Sequence, residues 1–187
     1  MFSKTIFKRI SDARGFTLME LLMTLAILAI VVTLAIPSGV SFFAKNNTLA
    51  QVTGLTHALS YARSEAISRN EKLIFCPSSD KESCGGKWRD GQILIDTQGK
   101  VLRVFSIGLR KDDLVWNSSG GIDNSITWMP TGYTQGQRGT FYYCVKNNTA
   151  DSRSVVLLDT GRVYVSAMDA SDYNTHCFTA VPAEKRG

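Results

Sequence analysis

Apolar positions fall into three regimes along the chain. From Phe16 to Ile36 the sequence reads FTLMELLMTLAILAIVVTLAI, 21 residues with a single charge, Glu20. At 1.5 Å rise per residue this is about 30 Å of helix, the thickness of a bilayer's hydrocarbon core. Pro37 and Gly39 close the run. Proline removes a helix hydrogen bond and crowds the preceding turn, so a kink or local melting belongs here. The second regime is amphipathic: Leu49, Val52, Leu55, Leu59, Ala62 and Ala66 recur at three- and four-residue steps among polar residues. That stripe predicts a helix continuing to about Asn70 and packing on a sheet.

In the third regime the period shortens to two. Lys72–Cys76, Gln92–Asp96, Val101–Ile107, Leu114–Trp116, Ile126–Met129, Thr140–Val145, Ser154–Leu158 and Arg162–Ser166 read as strands. Turn signals separate them, among them Gly85-Gly86, Gly99, Gly120-Gly121, Gly132, Gly136 and Asp159-Thr160-Gly161. Short strands without intervening helices imply antiparallel sheet. The predicted fold is therefore α+β, a long N-terminal helix packed on an antiparallel β-rich head. Four segments follow: a leader at 1–15, an apolar helix at 16–36, its amphipathic continuation at 37–70 and the head at 71–187.

Charge changes this picture at the N-terminus. The chain of 187 residues carries a net +5. Residues 1–15 hold Lys4, Lys8, Arg9 and Arg14 against Asp12, so without them the net falls to +2. Positive charge before an apolar run keeps that end cytoplasmic during insertion. The run is too long for an ordinary secretory signal, and no small-residue cleavage site follows it. An uncut signal anchor is the plain alternative, and two residues argue against it. Gly15, at the junction, suits a backbone that lies extended in a protease cleft. Glu20 puts a carboxylate inside an apolar helix, at a cost of about 2.5–3.5 kcal/mol on insertion scales, and such residues usually have a functional partner.

Cys76, Cys84, Cys144 and Cys177 all lie beyond the apolar run. If the run inserts with its basic end inside, they meet an oxidising compartment, where two disulfides are the default. Four cysteines allow three connectivities; the local, sequential one, Cys76–Cys84 and Cys144–Cys177, is preferred. Zinc is the rival, but the chain has no C-x-x-C, and His57 and His176 stand at no ligand spacing.

The string Arg14-Gly15-Phe16-Thr17-Leu18-Met19-Glu20 resembles the class III leader junction of type IV pilins and type II secretion pseudopilins. The resemblance implies a cut after Gly15 by a prepilin peptidase and methylation of the new N-terminus, Phe16. It also implies that Glu20 offers its charge to a neighbouring subunit's terminal amine during assembly. The head resembles the GspH/FimT minor pilins in Leu55–Asn70, in Trp88-Arg89-Asp90-Gly91, and in later blocks at Ile126–Gly132, Cys144 and Gly161-Arg162-Val163. By that resemblance the chain is a minor pilin of a type IV pilus, priming assembly near the tip as FimU-like members do. Its partners would be other major and minor pilins and the prepilin peptidase. It would sit in the inner membrane with its head in the periplasm, then in a pilus or pseudopilus of a Gram-negative-type bacterium. No cofactor is implied.

Enzyme signatures are missing: there is no G-x-S-x-G, no H-E-x-x-H and no phosphate-cradling glycine loop. Two alternatives to the pilus-assembly role remain. One is a type II secretion pseudopilin. The other is a DNA-binding pilin for natural transformation, as in some FimT members, which bind DNA through a C-terminal G-R-x-R turn. Here that turn reads Gly161-Arg162-Val163-Tyr164, without the second arginine. Arg162 could instead pair locally in a hairpin. Lys87, Arg89, Arg110-Lys111 and the tail residues Lys185 and Arg186 are the other basic candidates. A net of +2 beyond the leader favours solvated faces over a DNA footprint, which needs clustered charge.

Overall fold

The computed structural model describes residues 15–105, 113–119 and 124–177; side chains at 34–41 and 44 are also outside the described set. The elements run α1 (Leu18–Arg69), β1 (Leu73–Pro77), β2 (Gln92–Asp96), β3 (Val101–Phe105), β4 (Asp113–Ser118), β5 (Ile126–Trp128), β6 (Gly139–Cys144), β7 (Arg153–Leu157), β8 (Val163–Ala167) and α2 (Ala170–His176). The chain divides into two units, Met1–Phe42 and Phe43–Gly187.

In the first unit, Thr17 caps α1: its Oγ1 accepts from the Glu20 N–H at 3.2 Å, satisfying one of the helix's unpaired donors. The backbone stays helical through Pro37 and Gly39. The local melting that pair permits is absent, because one proline removes a single donor while the bonds on either side hold the turn. Among the described residues, no helix is long and apolar enough to cross a membrane. The predicted span includes residues whose side chains are outside the described set.

The second unit holds two four-stranded sheets, ordered β3-β2-β1-β5 and β4-β6-β7-β8, with every pairing antiparallel. The buried line of α1 runs through Val52, Leu55, Ala58, Leu59, Ala62 and Ala66. Leu49, expected in this stripe, is 44 % exposed, and the line passes through buried Thr48 instead. Thr48 lies five full turns before Ala66 at 3.6 residues per turn, so it shares the inward face, while Leu49 sits about 100° further round the helix.

Strand alternation sorts the side chains. Leu73 and Phe75 of β1, Leu94 of β2, Phe141 and Tyr143 of β6, and Val155 and Leu157 of β7 join α1 in one core. An aromatic group sits inside it, with Trp88 edge-on to Phe141 at 5.0 Å and Trp116 at 4.3 Å from the same ring. Cys76, Ile93 and Ile95 form a small cluster on the other face of the first sheet. Tyr142 and Cys144 face away from the main core on the second sheet, where Met168 and Cys177 meet them.

The expected strands are all present, with ends shifted by at most two residues and the end of Val101–Ile107 outside the described residues. The seven-residue α2 has no counterpart among the elements that periodicity predicts. It is too short for an apolar period. Its signal is the cap: Asp169 accepts from the Asp172 N–H at 2.7 Å.

Candidate functional site

The N-terminal site is built by a coil-to-helix junction. Gly15 is exposed, and a Cβ added there would meet nothing within 4 Å. Phe16 is 81 % exposed. Glu20 lies in the first turn of α1, where the helix dipole favours negative charge. The Thr17-Leu18-Met19-Glu20 spacing is that of a capping box, a helix-start signal that the apolar run overshadows in the sequence. Glu20 is exposed and makes no ion pair among the described residues. Around it Leu18, Leu21, Leu22, Leu25, Ile27, Leu28, Ile30 and Val31 are all at least half exposed. A helix apolar on every side needs lipid or other helices around it. A carboxylate within it needs a cation from the same surroundings.

The four cysteines pair as preferred, Cys76 with Cys84 and Cys144 with Cys177. The first bridge closes a loop organised on Asp80. That carboxylate accepts from the Ser83 hydroxyl at 2.6 Å, from the Ser83 and Glu82 N–H groups at 2.9 Å, and from the Ser78 hydroxyl at 2.9 Å. These donors, the Ser83 hydroxyl foremost, hold Asp80 well below the usual carboxylate range. Its contribution to the loop is therefore present above the unfolded pKa of about 3.9 and is lost only as pH falls through the lower folded value. In an NMR titration the Asp80 carboxyl is expected to stay ionised at about pH 3.5, below the usual aspartate value. Asp80→Asn is expected to remove that part of the acid dependence.

The second bridge ties the α2 segment to the outer face of the second sheet. Tyr142 and His176 stack at 4.1 Å, and the Tyr173 hydroxyl donates to the Val145 carbonyl at 2.8 Å.

The basic candidates among the described residues do not gather into one patch. Arg89 lies 3.9 Å from both Asp90 and Asp113, while Trp88 beside it is buried in the core. Arg110, Lys111, Lys185 and Arg186 are outside the described residues. Arg162 is exposed just before β8, and the local pair open to it is not made: the Asp159 carboxylate of that turn meets Arg138, at 3.5 Å. The structure instead places Arg162 near Arg63, whose position in the sequence marks only the polar face of a helix.

A sequence model described as type II transport protein GspH matches residues 51–161. The chain belongs to the GspH family. A second model, the prokaryotic N-terminal methylation motif, matches residues 10–36, the stretch that holds Gly15, Phe16 and Glu20. Among solved structures, the type IV minor pilin FimU of Pseudomonas aeruginosa is similar at 23 % identity and a TM-score of 0.52, over 67 % of this chain and 92 % of that one. Another crystal form of FimU has 22 % identity and a TM-score of 0.49, over 63 % and 91 %. At this identity the first likeness shows the fold, an N-terminal helix with antiparallel sheets. No curated protein matches the chain. The GspH-type region begins in the amphipathic part of α1 and ends at the glycine of the β7–β8 turn, so it takes in both sheets as far as β7.

Proposed function

We propose that this GspH-family chain is a minor pilin of a type IV pilus, acting in assembly priming near the fibre tip. A prepilin peptidase cuts after Gly15 and methylates Phe16. Residues 16–36 hold the subunit in the inner membrane with the head in the periplasm, until other pilins draw it into the fibre. One observation carries the reading: the methylation motif at 10–36 stands on the same chain as a GspH-type head at 51–161. The exposed apolar helix supports it physically, since Glu20 has no cation within the described chain. The terminal amine of a neighbour's mature chain is a cation at the right end of such a helix. The fold likeness to FimU favours the pilus over other machines of the same family.

The description of the family as a type II transport protein supports a second reading, a secretion pseudopilin. Deleting the gene separates the two. Loss of surface fibres with normal exoprotein secretion is the expected result, and a copy carrying Glu20→Ala is expected not to restore the fibres. Normal fibres with failed secretion would select the second reading, and no change in either would remove both. The DNA-receptor reading draws no support from the described basic residues, which are scattered and partly paired.

A further inference from the structure

A cleft of about 280 Å³ opens in the β-rich unit between α1 and the β7–β8 turn, lined by Ser60, Arg63, Ser64, Gly161, Arg162 and Val163. Arg63 is half-buried and held by the backbone: its Nε donates to the Gly132 carbonyl at 2.9 Å. Two glycines leave room for it. A Cβ at Gly132 would stand 3.1 Å from that nitrogen, and one at Gly161 would stand 3.0 Å away. Neither Arg63 nor Arg162 has an ion-pair partner among the described residues, and the acidic side chains close to them in sequence are engaged elsewhere. Glu65 pairs with Arg69, and Asp159 with Arg138. The Ser64 hydroxyl donates to the Ser60 carbonyl, so the charged donors that can meet a ligand are the guanidiniums, with the Ser60 hydroxyl beside them.

We propose that this cleft binds a carboxylate, and that its occupant is an acidic side chain of a neighbouring pilin subunit. The proposal rests on the reading of the chain as a fibre subunit. A planar guanidinium fork matches a single carboxylate in bidentate fashion, and fixing Arg63 beforehand lowers the ordering cost of the contact. A half-buried cation also gains more from such a pair than a solvated one. A nucleic acid would need a row of cations to neutralise successive phosphates. Here the lining beyond the two arginines is neutral, and Arg89 is flanked by Asp90 and Asp113.

The test uses the full chain with a benzophenone amino acid at Ser64, in cells that assemble fibres. Irradiation is expected to yield an adduct with an acidic segment of another pilin. The Arg63→Gln, Arg162→Gln double variant is expected to lose at least about tenfold of it, since both cations that meet the carboxylate are gone. Because Arg63→Gln also leaves the Gly132 carbonyl unpaired, Arg162→Glu, at an exposed position, is run beside it and is expected to abolish the adduct. An adduct unchanged by these variants, or formed with DNA or with the chain's own residues 178–187, would overturn the proposal. Fibre content is measured in the same cells. If the chain is in fibres without an arginine-dependent adduct, the site alone fails; if it is absent from fibres, the subunit reading fails and the site with it.

Discussion

Replacing Cys144 and Cys177 together by serine is expected to destabilise the β-rich unit by about 4 kcal/mol, lowering its melting temperature by about 10 °C. The bridge spans 33 residues, and closing a loop of that length removes much of the unfolded chain's freedom. It also carries a packing role. The α2 segment rests on the second sheet through the Tyr142–His176 stack, the Tyr173 hydroxyl bond and the burial of Met168 beside Cys177. Without the covalent tie a seven-residue helix cannot hold itself in place, since isolated helices that short are unstable in water. Losing it would bare Tyr142. The shorter Cys76–Cys84 bridge, separated by eight residues, is expected to contribute about 2.5 kcal/mol on the same reasoning. All three tryptophans, Trp88, Trp116 and Trp128, lie in this unit, so fluorescence of the full chain in detergent reads its unfolding alone. A melting temperature unmoved by the double serine variant would show the bridge to be idle.

The second large effect is expected at Gly161, where alanine should cost about 3 kcal/mol or more. Two separate penalties meet there. The backbone is left-handed, with φ +75°, which costs an L-residue about 1–2 kcal/mol. An added Cβ would also collide with the Gly132 carbonyl oxygen and stand 2.9 Å from the Trp128 ring. The first of these is backbone and the second a fully buried ring, so neither yields cheaply. Gly99 supplies the control. It has φ +85°, but a methyl group added there would meet nothing within 4 Å, so Gly99→Ala should show the conformational penalty alone. The difference between the two variants, read by urea unfolding, isolates the close approach of the Gly132 and Gly161 turns. Equal effects would mean that approach is relaxed in solution.

How far the sequence reveals this molecule depends on which physical signal each part carries. Strand β2 is legible to the residue because Gly91 precedes it and the Asp96 turn ends it, leaving an apolar run between two breakers. The inner line of α1 from Val52 to Ala66 is legible from its three- and four-residue steps, while Leu49 misleads because apolarity alone does not say which side of a helix a residue takes. The disulfide pairing agrees with the local, sequential preference, though the sequence leaves three connectivities open. Helix α2 is not legible by periodicity, because the Cys144–Cys177 tie and the Asp169 cap hold it where its own apolar content could not. Arg63 is hidden for a related reason. Its role comes from the Gly132 carbonyl, 69 residues away, a contact that no local pattern encodes. At the N-terminus the junction around Gly15 and Glu20 is plain in the sequence, and the structure adds the Thr17 cap beneath it.

By the proposed reading, this GspH-family chain is cut at Gly15 and built into a surface fibre. Mass spectrometry of the intact chain in fibres sheared from the cell surface reads both events at once. The expected result is a chain that begins at N-methylated Phe16 and carries both disulfides, present in the fibre fraction. A chain that keeps Met1 and residues 1–15 and is found only in the membrane fraction would contradict it.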